Sequence, residues 1–237
     1  MIDNILISLD DSNLNKQELE HIFDNSLPVI LYSSLGKLIA AKLVTKEGRG
    51  VDSYYKISKA GTDLITKKLD ALRYFIAKKG ENWTLVSVSV PEKNKLSREK
   101  IRFILKNNGL AKIKNGLYLG NIYDLDSLKK KIGLLKNTDI IYFDKIVPPK
   151  LIFDDYAKYW SVSKIKKLYI SWNNLAKDFL KNTPNEKNKK RIIAKTLVYD
   201  LSNIILKDPR IDTSKCAKEL GRAEALKNYD KIREFCY

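Results

Sequence analysis

The sequence predicts an α+β protein made of three successive parts. Three observations carry that expectation. Residues 15–58 read as helix, helix, β-hairpin. Residues 83–143 read as βαββαβ. Beyond Pro148-Pro149 the apolar pattern is helical throughout. The expected parts are a winged helix-turn-helix over 1–78, a ferredoxin-like domain over 79–147 and an α-helical domain over 148–237.

Asn15-Lys16-Gln17-Glu18 has the form of a capping box, with Asn at the N-cap and Glu at N3. Leu19, Ile22 and Phe23 then share one face, and Asp24-Asn25-Ser26 breaks the helix. Ser26 can cap a second helix, and Pro28 is tolerated in its first turn. Leu31, Leu35, Leu38 and Ile39 fall on its expected buried side. Tyr32, Ser33, Gly36, Lys37 and Ala40 fall on the other. That second face is small and partly polar. A glycine in a helix interior costs about 1 kcal/mol relative to alanine, so Gly36 needs a reason. Close approach to a major groove is one; packing on a neighbouring helix or plain exposure are others, and spacing leaves all three open.

Val44-Thr45 and Ser53-Tyr54-Tyr55-Lys56-Ile57-Ser58 flank the tip Lys46-Glu47-Gly48-Arg49-Gly50. Two glycines around one arginine make a flexible turn, and a Tyr- and β-branched-rich strand follows. Helix, helix, hairpin is the order of a winged helix-turn-helix. The tip would set Arg49 beside a DNA backbone or in a minor groove. On an alternating strand at least one of Tyr54 and Tyr55 belongs to the wing core. Lys59-Ala60-Gly61 opens a further helix carrying Leu64, Ile65, Leu69 and Leu72.

In the middle part, Leu85, Val86, Val88 and Val90 predict a strand over 83–90. Ile101, Ile104 and Leu105 give one face of a helix from Ser97 to Asn108, closed by Gly109 as a C′ residue. Strands 110–113 and 117–119 pair through Lys114-Asn115-Gly116, since Asn-Gly is the strongest short hairpin signal. Leu125, Leu128, Ile132 and Leu135 mark a second helix at 124–135, and Ile140–Phe143 a last strand. The order βαββαβ is that of the ferredoxin-like fold. Arg98, Lys100, Arg102 and Lys106 on the first helix, and Lys129-Lys130-Lys131 on the second, read first as solvated faces.

In the last part, Trp160, Ile165, Leu168, Tyr169, Trp172, Leu175, Phe179 and Leu180 form a broad apolar stripe. Thr183–Asn188 interrupts it, helix 188–206 follows, and Asp208-Pro209 stops that helix. Asp208 reads as a turn-forming, capping carboxylate. A final helix starts near Ala223.

Net charge is +17 and the isoelectric point about 9.6, a balance that favours a polyanionic partner. Lysine dominates, and an AT-rich gene raises lysine without selection for binding. Residues 1–79 carry +2, 80–147 carry +6 and 148–237 carry +9. The expected DNA reader is therefore the least basic part. Two cysteines, Cys216 and Cys236, and one histidine, His21, build neither a disulfide framework nor a zinc site. The start MIDNILISLDDSN lacks the basic and apolar regions of a signal peptide, and no apolar run approaches a membrane span. No Gly-rich phosphate loop, GxSxG, HExxH or CxxC occurs. Asp10-Asp11 and Asp154-Asp155 read as solvated caps. No catalytic residues, metal site or resident cofactor are expected, and the protein is not expected to be an enzyme.

Gly48-Arg49-Gly50 followed by Ser53–Ser58, then Trp83, Pro91-Glu92, Gly109 and Gly116-Leu117-Tyr118-Leu119, resemble the PaaX family of bacterial transcriptional repressors. Lys37-Leu38 sits where that family has Arg-Leu, and Tyr32 where it has Arg. Leu197-Val198-Tyr199, Asp208-Pro209, Gly221, Ala225 and Tyr229 continue the likeness, with Leu220 in place of a Trp and Ser202 near an Arg position. The resemblance implies a cytoplasmic repressor that binds double-stranded operator DNA as a homodimer. Tyr32, Ser33 and Lys37 would read the duplex, while Lys42, Lys46, Arg49 and Lys56 would hold phosphates. It also implies release by a small anionic effector of acyl-CoA type. The PaaX middle domain is similar to the small CRISPR-adaptation nuclease subunit, where an Asp ends the first strand and binds a divalent metal. Here that position is Ser89, a poor substitute for a carboxylate, which disfavours a nuclease. A protein binding DNA architecturally, without strong sequence preference, is the other alternative.

Overall fold

The structure is a computed structural model that describes residues 2–10, 13–23, 28–50, 53–77, 83–135, 138–147, 156–209 and 220–236. The described elements run α1 (Ile2–Ser8), β1 (Leu14–Asn15), α2 (Lys16–Ile22), α3 (Pro28–Ala40), β2 (Val44–Glu47), β3 (Tyr54–Ile57) and α4 (Lys59–Ala77). Then come β4 (Trp83–Ser89), α5 (Lys95–Asn107), β5 (Ala111–Lys114), β6 (Leu117–Asn121), α6 (Leu125–Gly133) and β7 (Asp139–Ile146). Helices α7 (Tyr156–Tyr159), α8 (Val162–Lys181), α9 (Lys187–Ile205) and α10 (Arg222–Ile232) follow, with a 3-10 turn at Arg233–Cys236. The fold is α+β, as expected. The break at Asp24-Asn25-Ser26, the Pro148-Pro149 turn, Asp154-Asp155 and Cys216 lie outside the described residues.

The chain divides into two compact units. The first comprises Met1–Asp70, Leu175–Asp200 and Asn228–Tyr237; the second comprises Ala71–Asn174 and Leu201–Lys227. Each unit thus joins stretches that are separated in the chain.

In the first unit a three-stranded antiparallel sheet has the order β1-β3-β2. Helix α1 has no amphipathic period to announce it, because its residues are buried consecutively: Ile5, Leu6 and Ile7, with Leu9 just beyond, are in the core. Leu19 of α2, Leu31, Leu35 and Leu38 of α3, Val44 of β2 and Tyr55 of β3 complete it. Of Tyr54 and Tyr55, at least one of which is expected in a core, Tyr55 is the buried one. Tyr199 of α9 is buried in the same cluster, with the Lys68 ammonium 4.4 Å from its ring centre. The expected capping box is present: Asn15 Oδ1 accepts from the Glu18 N–H at 2.9 Å, and Glu18 Oε2 from the Asn15 N–H at 2.7 Å. It satisfies two amide donors that the start of a helix leaves unpaired.

In the second unit a four-stranded antiparallel sheet has the order β5-β6-β4-β7. Val86, Tyr118 and Leu110 pack with Ile101 and Leu105 of α5 and Leu128 and Ile132 of α6. Truncating one such residue, for example Ile101→Ala, costs about 2–5 kcal/mol through lost transfer energy and the cavity left behind. Gly109 has φ +83, and a Cβ there would stand 2.7 Å from the Leu206 carbonyl oxygen. The C′ glycine therefore closes α5 and also lets Leu206 approach. Trp160 packs edge-on against Trp83 and donates its indole N–H to the Gly109 carbonyl at 3.0 Å.

Asp208 does more than form a turn. Its side chain is fully buried; Oδ2 accepts from the Tyr169 hydroxyl at 2.7 Å and lies 2.9 Å from Arg222 Nε. The apolar stripe of α8 is narrower than its sequence suggests. Ile165, Tyr169, Trp172 and Phe179 are buried, whereas Leu168 and Leu175 are 40 % and 56 % exposed.

Candidate nucleic-acid interface

Helix α3 buries Leu31, Ser34, Leu35 and Leu38. Ile39, expected on that side, is exposed, and Ser34 takes part in the buried face instead. A helix advances 100° per residue, so burying positions 31, 34, 35 and 38 turns Ile39 away from the core. The opposite stripe is Ser33, Gly36, Lys37 and Ala40, all exposed. A Cβ built on Gly36 meets nothing within 4 Å. No described neighbour packs on this glycine.

Tyr32 is different from its neighbours. Its ring is half-buried against the core of the first unit, its hydroxyl donates to Glu20 on α2, and the Lys16 ammonium lies 4.4 Å from its ring centre. Burial, and then the Glu20 carboxylate, push its phenol well above the ordinary tyrosine value, so it remains a neutral donor. The ring ties α3 to α2. Glu20 and Tyr32 lie twelve residues apart across a helix break, and no helix spacing could have paired them.

Helix α3 ends in a Schellman arrangement. Leu43 N–H reaches the Leu38 carbonyl at 3.0 Å and Lys42 N–H the Ile39 carbonyl at 2.9 Å. The C′ residue is Lys42, at φ +58, where glycine is usual. Its carbonyl accepts from the Ser58 hydroxyl at 2.7 Å, and the Ser58 N–H donates to the Leu43 carbonyl at 2.9 Å. These bonds fasten the helix end to the start of α4. Gly61 makes the approach possible, because a Cβ there would lie 2.4 Å from the Leu43 carbonyl oxygen.

Strands β2 and β3 pair Val44↔Ile57, Thr45↔Lys56, Lys46↔Tyr55 and Glu47↔Tyr54. Side chains alternate along each strand. Lys56 therefore shares a face with Thr45 and Glu47, and Lys46 shares the other face with Val44 and Tyr55. Both lysines are exposed, on opposite faces of the hairpin. Arg49 is exposed at the tip, between Gly48 at φ +85 and Gly50 at φ +61. The Ser53 hydroxyl closes the turn on the Gly50 carbonyl at 2.6 Å, and the Tyr54 hydroxyl donates to Glu47 at 2.7 Å. Six of the seven expected contact residues, Ser33, Lys37, Lys42, Lys46, Arg49 and Lys56, are solvent-facing, while Tyr32 is engaged within the unit.

No group of three or more His, Cys, Asp or Glu side chains that could hold a metal occurs among the described residues. Ser89, at the position where a related nuclease would need a carboxylate, is exposed and faces Asp139 across the β4–β7 ladder. Among the described residues no helix is long and apolar enough to cross a membrane.

Comparison with known proteins bears on the chain's kinship. The family model of the PaaX protein central Cas2-like domain matches residues 77–143, which marks a distant family relationship over that stretch. The uncharacterized protein Rv0674 from Mycobacterium tuberculosis is similar in structure, with a TM-score of 0.54 at 14 % identity, over 98 % of this chain and 95 % of that one. At that identity the likeness is one of fold. No curated protein matches.

Proposed function

We propose that this protein is a sequence-specific DNA-binding regulator of the PaaX type, acting as a repressor released by a small anionic effector such as an acyl-CoA. Residues 1–78 form its winged helix, 79–147 its ferredoxin-like middle domain and 148–237 its helical C-terminal domain. The strand order β5-β6-β4-β7, with α5 and α6 packed on the sheet, supports the ferredoxin-like reading. The match of residues 77–143 to a regulator-associated domain supports the regulatory one. The observation that carries the DNA site is Gly36: an exposed interior helix glycine, flanked by Ser33 and Lys37, that no described residue packs upon.

In this reading Ser33 and Lys37 address base edges from α3, and Lys42, Lys46, Arg49 and Lys56 hold phosphates around them. Tyr32 positions α3 through Glu20 and reaches a base only if that bond opens. A homodimer in the cytoplasm, set on a palindromic site, completes the proposal.

The test is duplex binding by Lys37→Ala, Arg49→Ala and Arg98→Ala at several salt concentrations. A base contact is worth about 1–3 kcal/mol, so Lys37→Ala lowers affinity and relaxes the sequence preference. Arg49→Ala weakens all duplexes alike and reduces the salt slope by about 1. Arg98→Ala, on α5, has the smallest effect. Equal losses from all three would remove the DNA site from the helix and hairpin.

One observation favours a second reading. Residues 80–237 carry far more positive charge than residues 1–79. An architectural DNA binder would use that charge, with similar affinity for unrelated duplexes and a steep salt dependence.

A further inference from the structure

The second unit contains a cavity of about 410 Å³ between α5, β5, α7 and the first turns of α8. Cavities of about 300–1,000 Å³ are the usual size for small organic ligands. Five cationic side chains line it: Arg102 and Lys106 from α5, Lys112 from β5, Lys164 from α8 and Lys207 beyond α9. Among the described residues no Asp or Glu lines it. The nearest acid placed by an ion pair is Glu99, 3.8 Å from Arg102. Like charges gathered around one concavity repel one another, and an anion in their midst removes that repulsion.

The rest of the lining is apolar and aromatic: Leu110, Ile165, Tyr118, Tyr159 and Trp160. This wall is rigid. Trp160 is held by Trp83 and by the Gly109 carbonyl, and Gly109 itself has no room for a side chain. Burial pushes the Tyr118 phenol up, so it adds no negative charge. A purely inorganic anion would leave this wall unused, and a purely apolar ligand would leave the gathered lysines unused. The concave shape also selects against a rigid double helix, whose surface is convex.

We propose that this cavity binds a small ligand carrying two or more phosphates beside a flat ring, the chemistry of a nucleoside diphosphate. The cations hold the phosphates, and the ring lies on the Tyr159–Trp160 side. The site's lining belongs to the second unit, whereas α3 and the hairpin belong to the first. The site gives the effector of the proposed regulator a location and a class, yet it is measured with no DNA present, so either reading can fail without the other.

The experiment is calorimetric titration of the full chain, at about 0.15 M salt, with ADP, inorganic pyrophosphate and adenosine. ADP is expected to bind at least about tenfold more tightly than pyrophosphate and adenosine. The exposed pair Lys106→Glu/Lys164→Glu is expected to abolish ADP binding, and Lys112→Glu/Lys207→Glu to do the same. Lys130→Glu/Lys131→Glu on α6, an equal charge change away from the cavity, is expected to leave affinity within about threefold. No heat with any probe at millimolar concentration overturns the proposal, as do equal losses from cavity and control variants. Adenosine as tight as ADP overturns the role of the cations, and pyrophosphate as tight as ADP overturns that of the ring.

Discussion

Gly36 separates folding from function at the level of one residue. An added methyl group meets no atom within 4 Å, and alanine is the better helix former by about 0.5–1 kcal/mol. Gly36→Ala should therefore stabilise the protein by roughly that amount in urea unfolding while weakening duplex binding. Stabilisation with unchanged DNA affinity would show that nothing approaches this face closely. Lys42 offers a second separation. A left-handed backbone at φ +58 disfavours any residue with a Cβ by about 1 kcal/mol. Lys42→Gly should raise stability and Lys42→Ala should not, yet both should lower duplex affinity equally, because both remove the same charge. What could be read at this scale in the sequence was local. The Asn15–Glu18 capping box spans three residues and was legible; the Glu20–Tyr32 bond, which turns an expected reading residue inward, spans twelve and was not.

Elements were legible in proportion to their period. Helix α5 and the hairpin at Asn115-Gly116 carry clear signals, and the structure has helix at Lys95–Asn107 and strands at Ala111–Lys114 and Leu117–Asn121. Helix α1 does not: consecutive burial of Ile5, Leu6 and Ile7 leaves no alternation to detect. Hairpin faces follow from register, and register sets Lys46 and Lys56 on opposite sides. The joints between elements were the least legible. Asp208, Tyr169 and Arg222 come from three different stretches, and only folding brings them into one buried cluster. Removing one member of a buried ion pair leaves the other charge unanswered, at a cost of about 3–5 kcal/mol. Asp208→Ala should lower stability by that much in chemical denaturation. Asp208→Asn, which can still accept from Tyr169, should cost less; equal losses would mean that the Tyr169 hydrogen bond contributes nothing, and no loss in Asp208→Asn that the Arg222 pairing contributes nothing.

At the scale of the whole molecule the sequence shows the α+β class and the direction of the charge, but not which distant stretches fold together. The first unit takes residues from the beginning, Leu175–Asp200 and the last ten positions of the chain. A linear reading divides a chain at linkers and has no means of joining Tyr199 to the core around Leu31 and Leu35. The distribution of charge poses the main functional question. If the first 79 residues direct binding, they do so with little net positive charge, and specificity must come from contacts on α3 and the hairpin. If charge directs binding, the more basic remainder dominates and sequence matters little. Selection of genomic DNA fragments by the purified full chain at physiological salt, followed by titration of the recovered duplex against an unrelated one, separates the two. One enriched palindromic site is expected, bound at least about 10³-fold more tightly than the unrelated duplex. Recovery of no common site, with near-equal and strongly salt-dependent affinities for both duplexes, would contradict sequence-specific binding.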